Sequence, residues 1–209
     1  MIAIVDYRAG NLASVARALE QLGQTGVITS DPEVIAAADR IIFPGVGAAG
    51  EAMRNLHELG LEPVLRQAVA DGKPFLGICL GYQILFEHSA EDGGTACLGL
   101  LPGRVVRFAE SAPEAAPPRL KVPHMGWNQA AWRRPHPVWH GVPAGSEFYF
   151  VHSYYPQAPV KVTACTTDYG VTFASGAVAG SLVGFQFHPE KSGPPGLRLL
   201  LNFCLWSPE

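Results

Sequence analysis

Residues 73–83 read KPFLGICLGYQ, an apolar run that ends on a cysteine with a glycine two positions to either side. Residues suited to a helix follow at once, so the stretch predicts a strand, a tight turn and a helix. Gly77 and Gly81 lack the Cβ atoms that otherwise block such a turn, and a residue at its apex can adopt a strained conformation with an exposed side chain. We interpret the stretch as a nucleophile elbow with Cys79 at its apex.

The elbow would give Cys79 a reactivity that an ordinary buried cysteine lacks. Free N–H groups at the start of the following helix favour a thiolate over a thiol and offer hydrogen-bond donors to an oxyanion. The alternative is that Cys79 is a small buried hydrophobe at the end of a glycine-containing strand, where inert cysteines are common. Other parts of the sequence decide between these two interpretations.

Length and composition favour one cytoplasmic domain. A chain of 209 residues is long enough to bury a sizeable core, and we expect a single domain over residues 1–209. The four cysteines are widely spaced without a Cys-x-x-Cys pair, which argues against a zinc site or a disulfide framework and fits a reducing compartment. A net charge of −3 without a basic stripe disfavours nucleic acid as a partner. We expect no signal peptide, membrane span, metal or cofactor.

Strand-like and helix-like segments alternate over the first part of the chain. Strands are predicted at residues 1–5, 27–29, 40–43 and up to Cys79, and helices from Asn11 as N-cap to Gly23, after the capping signals of residues 30–33, and on both sides of Gly60. The alternation predicts an α/β fold with a mixed, mostly parallel sheet and helices on both faces. Ligands bind such sheets at the carboxyl ends of the strands, where Cys79 and residues 44–47 both fall.

The second part of the chain is rich in β-strand signals. We predict strands at residues 148–152, 160–165, 171–173 and 182–187, which suit an antiparallel extension of the sheet. A final helix follows, with an apolar stripe of Leu197, Leu200, Leu201 and Cys204. Residues 110–118 are rich in alanine and proline, and we assign them to a loop without regular structure.

A second chemical stretch, residues 185–192, reads FQFHPEKS. Residues two apart in an extended run share a face, so His188 and Glu190 can point the same way. A carboxylate on one imidazole nitrogen fixes the tautomer and leaves the other nitrogen to take a thiol proton and deliver it to a leaving amine. The alternative is a structural histidine near a strand end.

A third stretch, Pro-Gly-Val-Gly at residues 44–47, lies at the end of a predicted strand on the same edge of the sheet. Its glycines allow a main-chain N–H to point at a substrate oxygen. The alternative is a plain turn that leads into a helix. Together with Cys79 and the histidine, this stretch would complete a site for acyl transfer.

The motifs together resemble a known family. Residues 77–83 (GICLGYQ) and 187–190 (FHPE) resemble the triad-type, or class I, glutamine amidotransferases. A more specific resemblance, within that family, is to the glutaminase subunits of imidazole glycerol phosphate synthase. It covers residues 6–12 (DYRAGNL), 44–47 (PGVG), 123–128 (PHMGWN), 150–155 (FVHSYY) and 188–192 (HPEKS). Two departures are Arg8, where the family often has glycine, and the insertion at 110–118. Neither departure falls at Cys79, His188 or Glu190.

The resemblance implies a flavodoxin-like amidotransferase fold and a thioester mechanism. In that mechanism Cys79 attacks the side-chain amide of glutamine, His188 protonates the departing ammonia and Glu190 holds His188. The N–H groups of Val46 and Leu80 would bind the oxyanion. The resemblance also places five residues in the glutamine pocket: Gly47, Gln83, Glu91, Ser153 and Tyr154.

The resemblance further implies a partner, a (βα)₈-barrel cyclase subunit that uses the ammonia in histidine biosynthesis and forms a heterodimer with this chain. Candidate partner contacts are Asn11, His124, Trp127, Tyr149 and Lys191. The alternatives are a core aromatic for Trp127 and a solvated surface charge for Lys191.

Three other functions are considered. A non-catalytic, doubly wound module that binds a nucleotide or flavin is disfavoured because no Gly-x-Gly-x-x-Gly or P-loop follows a predicted strand. A cysteine peptidase is disfavoured because the papain-like Cys-Gly-Ser-Cys signature is absent. Within the family, the rival is the glutaminase subunit of an anthranilate or guanylate synthase.

Overall fold

The computed structural model describes residues 1–108 and 121–208, and the loop predicted at residues 110–118 lies outside them. The strands are β1 (Ile2–Val5), β2 (Gly26–Thr29), β3 (Arg40–Gly45), β4 (Phe75–Cys79), β5 (His88–Ser89), β6 (Thr95–Ala96), β7 (Arg104–Arg107), β8 (His124–Gln129), β9 (Ala131–Trp132), β10 (Glu147–His152), β11 (Tyr154–Gln157), β12 (Thr163–Tyr169), β13 (Val171–Ala179) and β14 (Leu182–Phe185). The helices are α1 (Leu12–Gln21), α2 (Pro32–Ala37), α3 (Ala49–Glu58), α4 (Leu61–Ala70), α5 (Leu80–Gln83) and α6 (Gly193–Leu205).

The central sheet has the strand order β2-β1-β3-β4-β14-β13-β12-β9. The first five of these strands run parallel, and the last three continue the sheet in antiparallel fashion. The predicted mixed sheet with an antiparallel extension is therefore confirmed. Two smaller sheets, β10-β8 and β11-β7-β5-β6, lie outside it.

Helices cover both faces of the parallel strands. Along β1, Ile4 belongs to the core that α1 and α6 complete, whereas Ala3 and Val5 belong to the core that α2, α3 and α4 complete. All four residues of this strand are buried. This is why β1, like β4 and β14, is apolar at every position rather than at every second one.

Most helices begin and end at the capping residues and glycines that the sequence predicts. Gly23 ends α1 with φ 70°, and Gly60 separates α3 from α4 with φ 65°. Asp31 caps α2 by accepting a hydrogen bond from the Glu33 N–H at 2.8 Å. Asn11 lies at the predicted N-cap position of α1 and its carbonyl accepts from the Ser14 N–H at 3.2 Å, but its side chain makes no capping hydrogen bond.

Two strand predictions in the second part of the chain need correction. The strand predicted at 160–165 begins at Thr163, because hydrogen bonds from the N–H groups of Val162 and Thr163 to the Pro159 carbonyl form a turn before it. The strand predicted at 148–152 is present as β10, but it pairs with β8 instead of joining the central sheet. Strand β8 was not predicted.

The last helix begins earlier and buries a different stripe than predicted. It includes two prolines in its first turn, where their missing N–H groups cost nothing. Its buried side chains are Leu199, Leu200, Phe203 and Cys204. Leu197 and Leu201 are only partly buried, so the predicted stripe is displaced around the helix axis.

The turn between β4 and α5 has the strained geometry that the glycines predict. Cys79 lies at φ 55° and ψ −110°, outside the regions that side-chain-bearing residues favour. A Cβ atom on Gly81 would collide with the main-chain carbonyl of Phe43 in β3. One on Gly77 would lie 2.7 Å from Leu85 Cδ1 and 3.0 Å from a backbone carbon. The backbone of the elbow at Gly81 therefore packs directly against the backbone of β3 at Phe43.

We expect Gly81→Ala to destabilise the fold, because the colliding atom belongs to a rigid strand that cannot move aside. The loss should reach about 3 kcal/mol or more in urea unfolding. The control is Gly72→Ala, where φ is 74° but the new Cβ meets no atom within 4 Å, so only the strain of about 1–2 kcal/mol applies. Equal losses in the two variants would contradict the packing described for the elbow.

Candidate active site

Strands β3, β4 and β14 end at one edge of the central sheet, and a cavity of about 320 Å³ opens there. Gly45 lies opposite Cys79 in the register of β3 and β4. The cavity is lined by Val46, Gly47, Cys79, Leu80, Gln83, Glu91, Pro123, Val151, His152, Ser153 and Tyr154. Every residue that the sequence assigned to the oxyanion or to glutamine therefore borders the same cavity as Cys79.

His188 and Glu190 meet beside this cavity. Their contact joins His188 Nδ1 and Glu190 Oε1 at 2.7 Å, and both side chains are fully buried. The sequence predicted an extended strand here, but Pro189–Lys191 forms a 3₁₀ turn. The turn, rather than strand alternation, brings the carboxylate back to the imidazole.

The protonation of His188 is set by competing effects. Burial disfavours the imidazolium, but the Cys79 thiolate and the Glu190 carboxylate outweigh it and raise the pKa of His188 to about 10. The second ring nitrogen, Nε2, is buried and has no hydrogen-bond partner among the residues described. The ring is thus held at Nδ1, and its Nε2 carries a proton at neutral pH.

Asn11 holds the carboxylate of this pair. Its Nδ2 donates to Glu190 Oε1 at 2.6 Å and lies 3.4 Å from His188 Nδ1. Asn11 has φ 75°, a left-handed conformation that asparagine tolerates better than most residues. The side chain that the sequence assigned to a helix cap therefore supports the histidine–carboxylate pair.

Polar groups on two other elements converge on the cavity. Glu91 Oε2 accepts the N–H of Ala49, the first residue of α3, at 2.8 Å. Burial raises the pKa of Glu91, and this hydrogen bond opposes the rise. Gln83 Nε2 donates to the Tyr154 carbonyl at 2.7 Å. The cavity thus presents oriented amide and carboxyl groups close to the cysteine.

Comparison with known proteins identifies the family. The profile described as "Glutamine amidotransferase class-I" matches residues 3–206. The chain belongs to the class-I glutamine amidotransferases. This membership supports the nucleophile interpretation of Cys79 over that of an inert buried cysteine.

Several curated relatives of this amidotransferase carry the name "Imidazole glycerol phosphate synthase subunit HisH". The relative from Methylococcus capsulatus is 53% identical over 99% of this chain and 97% of that protein. The one from Pseudomonas putida is 49% identical over 98% of this chain and 97% of that protein.

Solved structures confirm the fold. A crystal structure described as a glutamine amidotransferase superposes with a TM-score of 0.73 at 18% identity, covering 96% of this chain and 98% of that one. PurLQS from Thermotoga maritima gives the same TM-score at 18% identity, covering 98% of this chain and 97% of that one. At this level of identity the likeness concerns the fold alone.

The sequence interpretation missed two buried residues of the amidotransferase site. Gln186 Nε2 lies 3.9 Å from Cys79 Sγ. Gln186 precedes His188 by two positions on the same run. Because residues two apart in an extended run share a face, the sequence could have predicted that Gln186 lies on the same side as His188. The Tyr7 hydroxyl is packed against Gly45 and has no hydrogen-bond partner within the described part of the chain. Burial raises the pKa of Tyr7, and no local sequence signal marks this residue.

The departure at Arg8 is explained by the backbone. Arg8 has φ 66°, a conformation that glycine adopts without strain. Its N–H donates to Asp6 Oδ1 at 2.8 Å, and its guanidinium pairs with Glu58 of α3 at 2.6 Å. The loop therefore keeps the shape that suits glycine, with an arginine tied to the neighbouring helix.

The predicted partner contacts separate into exposed and buried residues. Trp127 is 54% exposed, and its ring lies 6.2 Å from that of Tyr149, which in turn lies 6.4 Å from the His188 ring. Lys191 is also exposed. His124 is only 2% exposed, so the structure does not support a direct contact between its ring and a partner.

His124 instead pairs with His152 in the cavity wall. His152 Nδ1 lies 2.8 Å from the Tyr154 carbonyl, which can only accept, so this nitrogen carries a proton. In the neutral ring His152 Nε2 then accepts from His124 Nδ1 at 3.0 Å, and Asn128 Nδ2 lies 3.2 Å from His124 Nε2. Burial lowers the pKa of His152 to about 3 and that of His124 to about 4. Both rings are neutral at pH 7.

The other three cysteines are held in the protonated thiol form. Cys97, Cys165 and Cys204 are buried and unpaired. Burial raises their pKa values to about 11, 12 and 11 respectively. Of the four cysteines, Cys79 is the one that borders the cavity.

Within residues 1–108 and 121–208, no group of three or more His, Cys, Asp or Glu side chains is arranged to hold a metal ion. None of the helices in the same ranges is both long and apolar enough to cross a membrane.

The neutral histidine pair should make stability depend on pH. Below about pH 6.5 each histidine binds a proton in the unfolded chain but not in the folded one, so the free energy of unfolding falls as the pH drops towards 4. Each should contribute a slope of up to about 1.4 kcal/mol per pH unit. We expect His152→Asn, measured by urea unfolding from pH 4 to 7, to have a shallower slope than the wild type. The control is His57→Asn at an exposed histidine; an unchanged slope in His152→Asn would contradict a neutral pair.

Proposed function

We propose that this chain is the glutaminase subunit of imidazole glycerol phosphate synthase, a single domain over residues 1–209 that hydrolyses glutamine to glutamate and ammonia. One observation carries the proposal: a buried imidazole, held at Nδ1 by Glu190 and open at Nε2, beside a cysteine on a strained elbow at a cavity. It occurs in a chain about half identical, over its full length, to relatives with that subunit's name.

In the first half of the reaction the Cys79 thiolate attacks the side-chain carbonyl carbon of glutamine. The carbonyl oxygen gains the negative charge and takes hydrogen bonds from the N–H groups of Leu80 and Val46. The tetrahedral intermediate collapses when the carbon–nitrogen bond breaks, and His188 gives the departing nitrogen its proton. Ammonia leaves, and the glutamyl group stays on Cys79 as a thioester.

In the second half water attacks the thioester. His188, now neutral, takes a proton from the water, and the N–H groups of Leu80 and Val46 again bind the oxyanion. Breakdown of this intermediate releases glutamate and restores the thiolate. Throughout the cycle Glu190 keeps the imidazole oriented and stabilises its charged form.

The substrate is held by groups around the cavity. The carboxylate of Glu91 takes the substrate amino group, and Gly47, Gln83, Ser153 and Tyr154 bind the rest of the amino-acid frame. Their common position in the lining of one cavity supports this assignment. Its volume of about 320 Å³ is near the lower end of the range for small-molecule pockets.

The recipient of the ammonia is a (βα)₈-barrel cyclase subunit of histidine biosynthesis, with which the chain forms a cytoplasmic heterodimer that acts as a lyase. The exposed Trp127 and Lys191 support a docking face over the site, since Lys191 follows Glu190 and the Trp127 ring lies 6.2 Å from Tyr149. Asn11 and Tyr149 are half-buried candidates for the same face. A glutaminase subunit of an anthranilate or guanylate synthase is less well supported, because the guanylate-type structure found is only 19% identical.

The first test concerns Cys79. We expect Cys79→Ser and Cys79→Ala to lose glutamine hydrolysis by at least about 10³-fold, because the nucleophile itself is removed. The fold should be retained, since the elbow glycines set the turn, and circular dichroism checks this. Cys97→Ser is the matched control and should keep its activity. Turnover in a folded Cys79→Ala protein would refute the proposed function.

The second test concerns the Val46 peptide. We expect the isolated chain to hydrolyse glutamine slowly and to be activated by the barrel subunit with its bound substrate, because Gly45 and Gly47 let this peptide rotate until its N–H faces the oxyanion. Val46→Pro has no N–H and should lose about 10²–10³-fold of the stimulated rate.

Val46→Ala keeps the N–H and serves as the control for the side chain. Full activity of the isolated wild-type chain would contradict the switch. Full stimulation of Val46→Pro would place the second oxyanion donor elsewhere.

A further inference from the structure

Gln186 lies beside the nucleophile in the central sheet. The register of β14 and β4 pairs Phe185 with Ile78, so the next residues along the two strands are Gln186 and Cys79. The Gln186 N–H donates to the Ser175 carbonyl at 2.9 Å, which fixes its backbone on β13. Neighbours in a parallel pair present their side chains on the same face. The Gln186 side chain is fully buried there.

The orientation of the Gln186 carboxamide follows from its other contact. Gln83 Nε2 donates to the Tyr154 carbonyl at 2.7 Å and to Gln186 Oε1 at 3.0 Å. A main-chain carbonyl can only accept, so the Gln83 nitrogen must face Tyr154, and both of its protons are then used. If the Gln186 amide were rotated by half a turn, two NH₂ groups would face each other in a buried site. Gln186 therefore turns its oxygen to Gln83 and its nitrogen to Cys79.

The elbow needs such a donor. Helix α5 has only four residues, so it offers Cys79 fewer aligned peptide groups than a full-length helix. A hydrogen bond given to the sulfur favours the thiolate over the thiol. Gln186 Nε2, at 3.9 Å from Cys79 Sγ, lies within reach of a sulfur acceptor from the side of the sheet.

We propose that Gln186 is a hydrogen-bond donor to the nucleophile: its carboxamide, oriented by Gln83, stabilises the Cys79 thiolate and holds the thiol towards the cavity. The inference deepens the proposed function, since it rests on Cys79 as the nucleophile. Gln186 would then be a fourth polar side chain beside the three of the triad, and it comes from the chain segment that leads into His188.

The experiment measures how fast iodoacetamide alkylates Cys79 as a function of pH, by mass spectrometry of the labelled peptide, with Cys79→Ala as the blank. Gln186→Met keeps the side-chain volume but cannot donate. We expect its alkylation profile to move to higher pH by about one unit, so that the rate falls about tenfold at pH values below the midpoint of the wild-type profile. Gln186→Glu still accepts from Gln83 but places a carboxylate beside the sulfur, and its profile should move further in the same direction.

The matched control is Ser175→Ala. Its hydroxyl is also fully buried and contacts Thr167 and Cys165, so this variant removes a polar group from the same region without touching Cys79. Its alkylation profile should coincide with that of the wild type. A merely structural role for Gln186 would lower stability without moving the pH profile.

Superimposable profiles for wild type and folded Gln186 variants would overturn the inference. So would loss of the folded state in both variants, since Gln186 would then be a structural residue. Because alkylation needs no glutamine, the two hypotheses fail separately. Shifted profiles in a protein that never hydrolyses glutamine, even with its partner, would refute the proposed function alone. Unshifted profiles in an active glutaminase would refute the Gln186 inference alone.

Discussion

The contact between the elbow and strand β3 is the constraint on which the site depends. Gly81 rests against the Phe43 carbonyl, and Gly45 lies across from Cys79 with no side chain of its own. Without Cβ atoms at these points, two main chains approach closely enough to put the thiol and the Val46 peptide on one wall of a small cavity. The strained backbone of Cys79 persists because β4 is packed between β3 and β14, which leave it no alternative conformation.

Two buried histidines near the cavity show how partners, rather than burial, decide charge. Burial disfavours the charged form of both His188 and His152. His188 has Glu190 and the cysteine beside it, and these favour the imidazolium. His152 has a carbonyl and a second imidazole, which provide no negative charge, and it stays neutral. The same physical chemistry thus favours a charged imidazole at His188 and a neutral one at His152.

The predictable features were those with local causes. The elbow, the parallel strands and the helix ends at Gly23 and Gly60 follow from residues adjacent in sequence, so they could be derived without the structure. The contacts of Asn11 with Glu190 and of Gln186 with Cys79 join residues 179 and 107 positions apart. For Asn11 no local pattern carries that information, and its helix-cap signal pointed to a different use of the same side chain.

Strand pairing in the second part of the chain was harder to predict for a related reason. A strand such as β10 shows its β character locally, but the choice between β8 and the central sheet depends on the packing of whole layers. The proximity of His188 and Glu190 was correctly expected, although a turn rather than an extended strand produces it. Local chemistry was therefore more predictable than the backbone path that supports it.

The placement of the four cysteines determines how the protein responds to oxidants. In three of them, Cys97, Cys165 and Cys204, burial raises the pKa, so their thiols stay protonated at neutral pH. Peroxide and similar oxidants react with thiolates that they can reach. Because Cys79 borders the cavity, we expect it to be oxidised before the other three, so that a sample kept in air loses its activity before it loses its fold. The intact core thiols would make such a sample look native by every structural measure.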